Sequence, residues 1–562
     1  MTETLATDSH LRRPSTARRV ARTATAVASS GLLVGMGAAT TTPAVAAEAT
    51  DCTLVNTVDS STGGTVADIQ ALLNVDTAIV CLTGTFTLAA PLTFDHNLEI
   101  FGRPAAQLDG DNLTQILTGT SGASLELKNL SFVNGAGTAG GAVNVDGSLA
   151  VENSQFVDNA ADEDGGAIFV GDSGGVEVIG SVFSDNATGP EVDGVGGYSG
   201  GAIFISGTST GYFDDSTFSG NTASEAGGAV FSYAALTSQS TFSGNSAPVG
   251  GGLYNSFGIY EESTFAENSA DEGGASRSLF YAATFGSTFV ENSAELFGGA
   301  IATGFPEGGP EGSGAVISLN STFVDNTAGE VGGAVLAEYG QIGLSTFLNN
   351  EARTDSPDEH SEAIYVVGSD EAMEIGGNIF AGSRANAQLG GSSDSAFGDL
   401  GGNVFSTPAS TEVVLGSPAS SDLFSHSVET LFGASAALAD NGGPTQTVAL
   451  VGTSPAINAV PADVFTVLAS ALEGDLAAAA ELAPAAGGLV AAADSPDVDQ
   501  RNETRAGLAD AGAYEYGEPD PELAATGANT VAMGWLAGVT TLLLGAGAAL
   551  MLGARRRSRS PR

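Results

Sequence analysis

The feature that most constrains the fold of this chain is a short phrase that recurs along its middle. The phrase is Phe-x-x-Asn, a few residues, and then Gly-Gly-Ala followed by an apolar residue. Its Phe residues are Phe156, Phe183, Phe218, Phe242, Phe265, Phe289, Phe323 and Phe347, and Phe132 opens the series without the Asn. The usual step is about 24 residues, and two steps are longer by about ten. The body of the chain is therefore one unit used many times.

A unit of this length accommodates three short strands and three turns. The local pattern is alternating runs such as Leu125-Glu126-Leu127, bounded by Gly, Asn, Asp and Ser, which is typical of strands and turns. Helical repeats are longer, at roughly 33 to 47 residues. We therefore expect an all-β fold, a right-handed single-stranded parallel β-helix of roughly fourteen coils about 4.8 Å apart. The handedness follows the general rule for parallel crossovers.

The repeated residues suit fixed positions in such a coil. A Phe in every coil can stack on the next Phe inside the tube. The Asn of each coil is expected to bond to the Asn one coil above, because a buried amide without partners costs a few kcal/mol. The Gly pair permits a sharp bend with positive φ before the next strand.

The phrase resembles the repeat of the chlamydial polymorphic outer-membrane proteins, which has GGA[IVL] and FxxN elements. The resemblance covers roughly Phe132 to Ile364. The last copy departs from the pattern, because Ser361-Glu362-Ala363-Ile364 lacks the glycines. Two later segments that begin Gly-Gly-Asn, at Gly376 and Gly401, look like further coils of an altered type. The resemblance implies a β-helical surface protein.

Both ends of the chain read as targeting signals. Residues 1–47 contain five Arg, an apolar stretch and then Ala44-Val45-Ala46, which indicates a signal peptide; a transmembrane anchor is the alternative. Residues 531–552 form an uncharged span long enough for one transmembrane helix. The basic tail at 553–562 is expected to stay on the cytoplasmic side.

The pentapeptide before that span resembles the LAxTG form of an actinobacterial sortase sorting signal. It consists of Leu523, Ala524, Ala525, Thr526 and Gly527. The resemblance implies that a sortase cuts the bond after Thr526 and joins the Thr526 carboxyl to peptidoglycan of the cell wall. A membrane-tethered protein with a chance LAATG is the alternative.

The remaining boundaries follow from these features. We expect an N-terminal cap and first coils at 48–110, β-helix repeats at 111–430, a C-terminal region at 431–516 and a linker with the sorting motif at 517–530. The C-terminal region resembles the "choice-of-anchor Q" region at 441–447, 454–458, 499–501 and 512–515, and is expected to cover the back end. A helical insertion is predicted at 462–483, and a helix over Val66–Leu73 at the front. Arg501 and Arg505 are expected to pair with carboxylates.

The net charge restricts the classes of ligand that the chain is expected to bind. The chain has 65 acidic and 17 basic residues and a formal net charge of −48, which excludes electrostatic binding to nucleic acid. It also disfavours anionic sugars unless a cation bridges them.

Cys52 and Cys81 both lie outside the membrane after export, so a disulfide between them is expected, with two free thiols as the alternative.

Catalytic chemistry has little support in the sequence. The candidate acids for a hydrolase are Asp162-Glu163-Asp164, Asp214-Asp215 and Asp271-Glu272. The first and last groups both come just before a Gly pair, which favours a solvated turn. We therefore assign no catalytic residue, metal ligand or cofactor. Calcium at the acidic turns and a glycan-active hydrolase or lyase on the same scaffold stay open as alternatives.

One binding hypothesis rests on strand alternation. Phe169, Phe204, Phe231 and Tyr254 directly follow Ile168, Ile203, Val230 and Leu253. If the aliphatic residues point inward, the aromatic residues form an outward row on four successive coils. Such a row can stack on sugar rings, unless a bulge breaks the alternation or inserted loops cover the row. The expectation is a secreted, wall-anchored rod that adheres to an extracellular glycan or another surface.

Overall fold

The protein is an all-β parallel solenoid of about 13 coils. The computed structural model describes residues 56–75, 79–120, 122–172, 174–190, 197–304, 314–353, 362–367, 372–382, 387–391, 397–408, 415, 418–462, 464, 498–503, 505 and 509–516. At about 4.8 Å per coil the rod is about 60 Å long. The predicted parallel β-helix is confirmed, and its handedness stays a prediction.

Each coil has four strand positions, which we call A, B, C and D in chain order. A lies after the Gly pair, C carries the repeated Phe, and D is the short strand after the Asn. A strands are Leu92–Phe94, Leu117–Gly119, Val143–Val145, Ile168–Val170, Ile203–Ile205, Val230–Phe231, Ile301–Thr303, Val335–Ala337, Ile364–Val366 and Leu389–Gly391. B strands are Leu149–Glu152, Val176–Ile179, Thr210–Asp214, Ala234–Ser238, Ala315–Leu319, Tyr339–Gly343, Met373–Gly376 and Phe397–Gly401.

The C and D strands complete the coil. C strands are Gln155–Val157, Val182–Ser184, Thr217–Ser219, Thr241–Ser243, Thr264–Ala266, Thr288–Val290, Thr322–Val324, Thr346–Leu348, Ile379–Ala381 and Val404–Phe405. D strands are Ala136–Gly137, Ala160–Ala161, Ala187–Thr188, Ser269–Glu272, Ser293–Phe297, Thr327–Ala328 and Glu351–Ala352. Continuous strands span B and C at Ile79–Thr87, Leu98–Asp109 and Leu125–Val133, and A and B at Leu253–Glu261 and Ser276–Phe285. Thr57–Asp59 pairs with the first of these.

The repeated Phe residues form a continuous stack inside the tube, as predicted. Phe132 and Phe156 have ring centroids 4.7 Å apart, and the spacing stays between 4.6 and 5.1 Å to the end of the stack. Phe380 and Phe405 extend it, and Phe424 closes it. The Gly-Gly-Asn segments are therefore coils of the same solenoid.

The Asn residues form a second ladder, also as predicted. The Asn245 Nδ2 donates to Asn268 Oδ1 at 3.0 Å and to the Phe218 carbonyl at 3.0 Å. Its Oδ1 accepts from the backbone N–H of Asn221 at 3.0 Å and from Asn221 Nδ2 at 2.9 Å. Each such amide thus bonds to groups on both neighbouring coils, which removes the desolvation penalty of burying it.

A third ladder uses Ser residues at the turn before each C strand. The backbone N–H of Ser216 donates to Ser240 Oγ at 3.1 Å, and the same contact repeats from Ser154 to Ser345. At Ser345 the acceptor becomes Asn378 Oδ1, at 2.9 Å. The altered Gly-Gly-Asn coils therefore continue this ladder with an Asn in place of the Ser.

The two glycines of each pair have different physical roles. Gly165 has a φ of 70°, so it is needed for its left-handed backbone, as expected. Gly166 has no positive φ, but a Cβ placed on it would lie 2.1 Å from the Gly201 carbonyl oxygen. The second glycine is therefore required because neighbouring coils approach closely at this turn.

The front end is capped by the predicted helix, Val66–Leu73, with a further 3-10 turn at Ser60–Thr62. Ile69 and Leu73 are its buried residues, and Thr65 with Asp68 forms a capping box at its start. Cys81 is buried and is not a free thiol, but Cys52 lies outside the described residues, so the disulfide stays a prediction. Within the described ranges, no helix has the length and apolarity needed to cross a bilayer.

The C-terminal region is expected at the back end of the rod. In the structure it also packs along the side of the rod, over several coils. We call residues 427–516, as far as they are described, the flank segment. It begins with a helix, Val428–Phe432, and packs Leu431, Val448 and Val460 against the rod. The rod supplies an outward apolar strip to this contact, from Leu236 to Val404. The helix predicted at 462–483 lies almost wholly outside the described residues.

The flank segment is held by a polar network that includes both predicted arginine pairs. Arg501 contacts Asp499 at 2.7 Å, and Arg505 contacts Glu515 at 3.1 Å. Arg505 Nη2 also donates to Asn320 Oδ1 of the rod at 3.0 Å. Since these charges are buried and mutually bonded, the network fixes the segment to one place on the rod.

Candidate functional site

The predicted aromatic row exists on the outside of the A strands. Ile168, Ile203, Val230 and Leu253 are fully buried inside the tube. Their neighbours Phe169, Phe204, Phe231 and Tyr254 pair in register on successive coils. The ring centroids are 5.5, 4.8 and 4.9 Å apart, and the rings are nearly parallel. No bulge breaks the alternation at these four positions.

The rings of the row stack on one another, which limits what they offer to a ligand. Phe204 and Phe231 share their faces with neighbouring rings, so their edges point outward. Sugar stacking uses the ring face, where the negative lobe of the quadrupole lies. At the other end of the row from Tyr254, Phe169 has a non-aromatic neighbour, Asn144, on one side. Glycan binding by this row stays a prediction.

The far end of the row is covered. Tyr254 is only 2% exposed, and it packs with Leu279 and Phe280. Those two residues lie where the pairing of Leu253–Glu261 with Ser276–Phe285 shifts register. Three of the four predicted ring positions are therefore accessible from outside.

The Tyr254 hydroxyl is buried and has no hydrogen-bond partner among the described residues. Burial raises the pKa of this phenol above its ordinary range, and the charge of Arg277 opposes that shift. Arg277 lies next in the row, 4% exposed, and contacts Glu272 at 3.2 Å. Its remaining donors reach the carbonyls of Ser278, Ala302 and Gly304. The row therefore ends at a buried ion pair.

The three candidate acidic groups are not brought together. Asp164 and Glu272 occupy the same turn, but four coils apart, which is about 19 Å along the rod. Glu272 is neutralised by Arg277, and Asp214 lies on a B strand. These groups form no pair across a shared cleft.

Asp164 has a structural partner. Its Oδ1 accepts the backbone N–H of Ser199 at 2.8 Å, which ties the inserted loop to the turn. Burial raises the pKa of Asp164 to about 6, and the nearby Glu163 charge acts in the same direction. In the part of the chain that is described, no three His, Cys, Asp or Glu residues are placed to hold a metal ion.

The sorting motif, Leu523 to Gly527, lies outside the described residues, as do the signal peptide and the C-terminal span. Their assignments rest on the sequence.

Sequence reasoning missed a column of Thr residues on the outside of the C strands. The column is Thr217, Thr241, Thr264, Thr288, Thr322 and Thr346, paired in register. The signal was present in the sequence, since Ser-Thr-Phe recurs at each of these positions. In that triplet the Ser forms the internal ladder, the Thr faces outward and the Phe faces inward.

Comparison with known families gives one match. The Chlamydia polymorphic membrane protein (Chlamydia_PMP) repeat matches residues 215–233. This segment holds the C strand Thr217–Ser219, the ladder residue Asn221 and the Gly pair before Val230–Phe231. The chain is similar to that repeat over one coil. No curated protein matches the chain.

Proposed function

We propose that the protein is an exported, cell-surface rod that displays an adhesive flank away from the cell. The observation that carries this proposal is the solenoid of about 13 coils, eight of which are joined by all three ladders of Phe, Asn and Ser. Similarity to a repeat of membrane proteins supports a surface location. A stiff rod with outward side chains repeated at each coil suits contact with an extended ligand.

The targeting signals supply the proposed route to the surface. Residues 1–47 direct export, the span at 531–552 halts the precursor in the membrane, and a sortase joins Thr526 to peptidoglycan. Replacing Thr526 with Ala should move the full-length chain from the wall fraction to the membrane fraction of a sortase-positive host. A matched Thr530→Ala variant should leave the wall fraction unchanged. Equal wall incorporation of both variants would reject the sorting proposal.

The proposed ligand of the aromatic row is an uncharged glycan. The acidic surface disfavours anionic sugars, and the ring edges and the free side of Phe169 offer apolar contact. The proposal assigns no catalytic residue, because the candidate acids lie apart.

A glycan array probed with the full-length chain in mild detergent tests this proposal. The Phe204→Ala/Phe231→Ala variant should lose retention of any glycan that the unchanged chain binds. Val157→Ala, an outward and half-buried change on a C strand, serves as the matched control. Retention that is equal for both variants would reject the aromatic row as the binding surface.

A further inference from the structure

The Thr column is divided into a covered half and an uncovered half. Thr288, Thr322 and Thr346 are buried beneath the flank segment, at most 1% exposed. Thr217, Thr241 and Thr264 are half-buried, and their hydroxyls make no hydrogen bond within the described residues. We call these three residues, with Ser219 and Ser243 beside them, the open hydroxyl face.

The covered half shows how this column binds polypeptide. Thr288 Oγ1 donates to the Gln446 carbonyl at 2.7 Å, and Thr322 Oγ1 donates to Gln500 Oε1 at 2.6 Å. Thr346 Oγ1 accepts the backbone N–H of Ala513 at 3.0 Å. Each Thr therefore bonds to at least one backbone or amide group of the segment lying on it. The open face repeats the same residue in the same register without such a group.

One of the two borders of the column changes charge between the two halves. The residue two places before each Thr has a positive φ. In the covered half this residue is Gly286, Asn320 or Leu344. Arg505 donates to Asn320 there. In the open half the same position is Asp215, Gln239 or Glu262. On the other border, three residues after each Thr, the open half has Gly220, Gly244 and the exposed Glu267, and the covered half has Glu291, Asp325 and Asn349. The border before each Thr is therefore the one that is neutral in the covered half and carries Asp215 and Glu262 in the open half.

The open face is continuous with the established contact. Asn502 of the flank segment donates to Glu262 Oε1 at 2.9 Å, at the boundary between the halves. Glu261 beside it is largely buried with Oε1 unpartnered. A second copy of this chain is a poor occupant, because its own net charge is −48. The border charges instead complement a cationic partner.

We propose that the open hydroxyl face binds a basic polypeptide segment of a partner protein, in the way that the covered face binds the flank segment. Backbone and amide groups of the partner bond to Thr217, Thr241 and Thr264, and its Lys or Arg side chains pair with Asp215, Glu262 and Glu267. The face spans three coils, about 14 Å, which accommodates about four extended residues. This site is separate from the aromatic row and extends the proposed adhesive function to a second class of partner.

An array of twelve-residue peptides, probed with the full-length chain in mild detergent, tests the proposal. It holds Gly/Ser peptides with zero, two or four Arg and also chitosan oligomers. The four-Arg peptides should be retained at 0.15 M salt and lost at 0.5 M salt. The variant Thr217→Val/Thr241→Val/Thr264→Val should reduce that retention at least tenfold, because Val keeps the shape of Thr and removes its hydroxyl. Glu262→Gln, which removes the charge and keeps an oxygen that can accept from Asn502, should reduce it severalfold.

The control is Thr87→Val/Thr93→Val, two exposed positions on the first coils, which should leave retention unchanged. Equal retention by the control and the triple variant would overturn the proposal, because the whole acidic surface would then be the binder. No retention of any Arg peptide, or retention of chitosan alone, would overturn it as well. The glycan result for Phe204 and Phe231 is scored on separate spots, so failure of either proposal is seen independently.

Discussion

Removing one rung of the Asn ladder is a direct test of how the solenoid is held together. Asn245→Ala deletes two bonds that the amide donates, to Phe218 and Asn268, and two that it accepts from Asn221. Asn221 Nδ2 keeps its bond to the Phe183 carbonyl, and Asn268 Oδ1 keeps the Asn245 backbone N–H. The fully buried Asn221 backbone N–H then loses its partner, and the Phe218 carbonyl loses the bond from the amide.

The expected cost follows from these two losses. An unsatisfied buried donor costs about 1–3 kcal/mol and a lost hydrogen bond about 1 kcal/mol, so the free energy of unfolding should fall by about 2–4 kcal/mol. Urea unfolding followed by far-UV circular dichroism gives this number. Hydrogen exchange measured by mass spectrometry should show faster exchange of the peptide containing Asn221 than of distant coils around Phe347.

The matched control for this prediction is Ser243→Ala, an outward change on the same coil whose hydroxyl makes no bond within the described residues. It should change the unfolding free energy by less than about 0.5 kcal/mol. If Asn245→Ala behaves like the control and Asn221 stays protected, the ladder is not a principal source of stability.

Three further predictions concern single side chains. Tyr254→Phe should stabilise the protein by about 1 kcal/mol in thermal unfolding, because it removes a buried hydroxyl without a partner. Tyr260→Phe should destabilise it, because that hydroxyl bonds to three neighbours; equal signs for both would refute this assignment. Gly166→Ala should prevent normal folding, whereas Gly244→Ala, with open space and a φ of 61°, should cost about 1 kcal/mol, as urea midpoints would show. Asp164→Asn should raise stability above pH 6. The raised pKa of Asp164 means that ionisation disfavours the fold, so stability in the parent should fall as pH rises from about 4 to 6; an unchanged pH profile in the variant contradicts this.

The contacts inside the rod could be predicted from the sequence, because they join equivalent residues of neighbouring coils. An Asn such as Asn245 must meet Asn268 once the period is known. The same reasoning placed the Phe stack and the outward direction of Phe204. These predictions need only the repeat length and the alternation of side chains along a strand.

The contacts that sequence reasoning missed join residues with no common period. Ala513 bonds to Thr346, and Gln500 reaches Thr322, across long stretches of unrelated sequence. The cover over Tyr254 depends on a register shift that brings Leu279 onto it. Neither the lateral position of the flank segment nor this local shift leaves a repeated pattern from which it could be predicted.

The side-on attachment of the flank segment determines how the molecule would bear a load. A pull applied through residue 516 enters the rod at the level of Thr346, Asn320 and Thr288, several coils before the last one. The bonds at those three levels share the tension in shear, whereas a chain leaving from the final coil would unzip one winding at a time. The proposed wall anchor, which follows residue 516, would therefore load the middle of the rod from the side rather than its last coil.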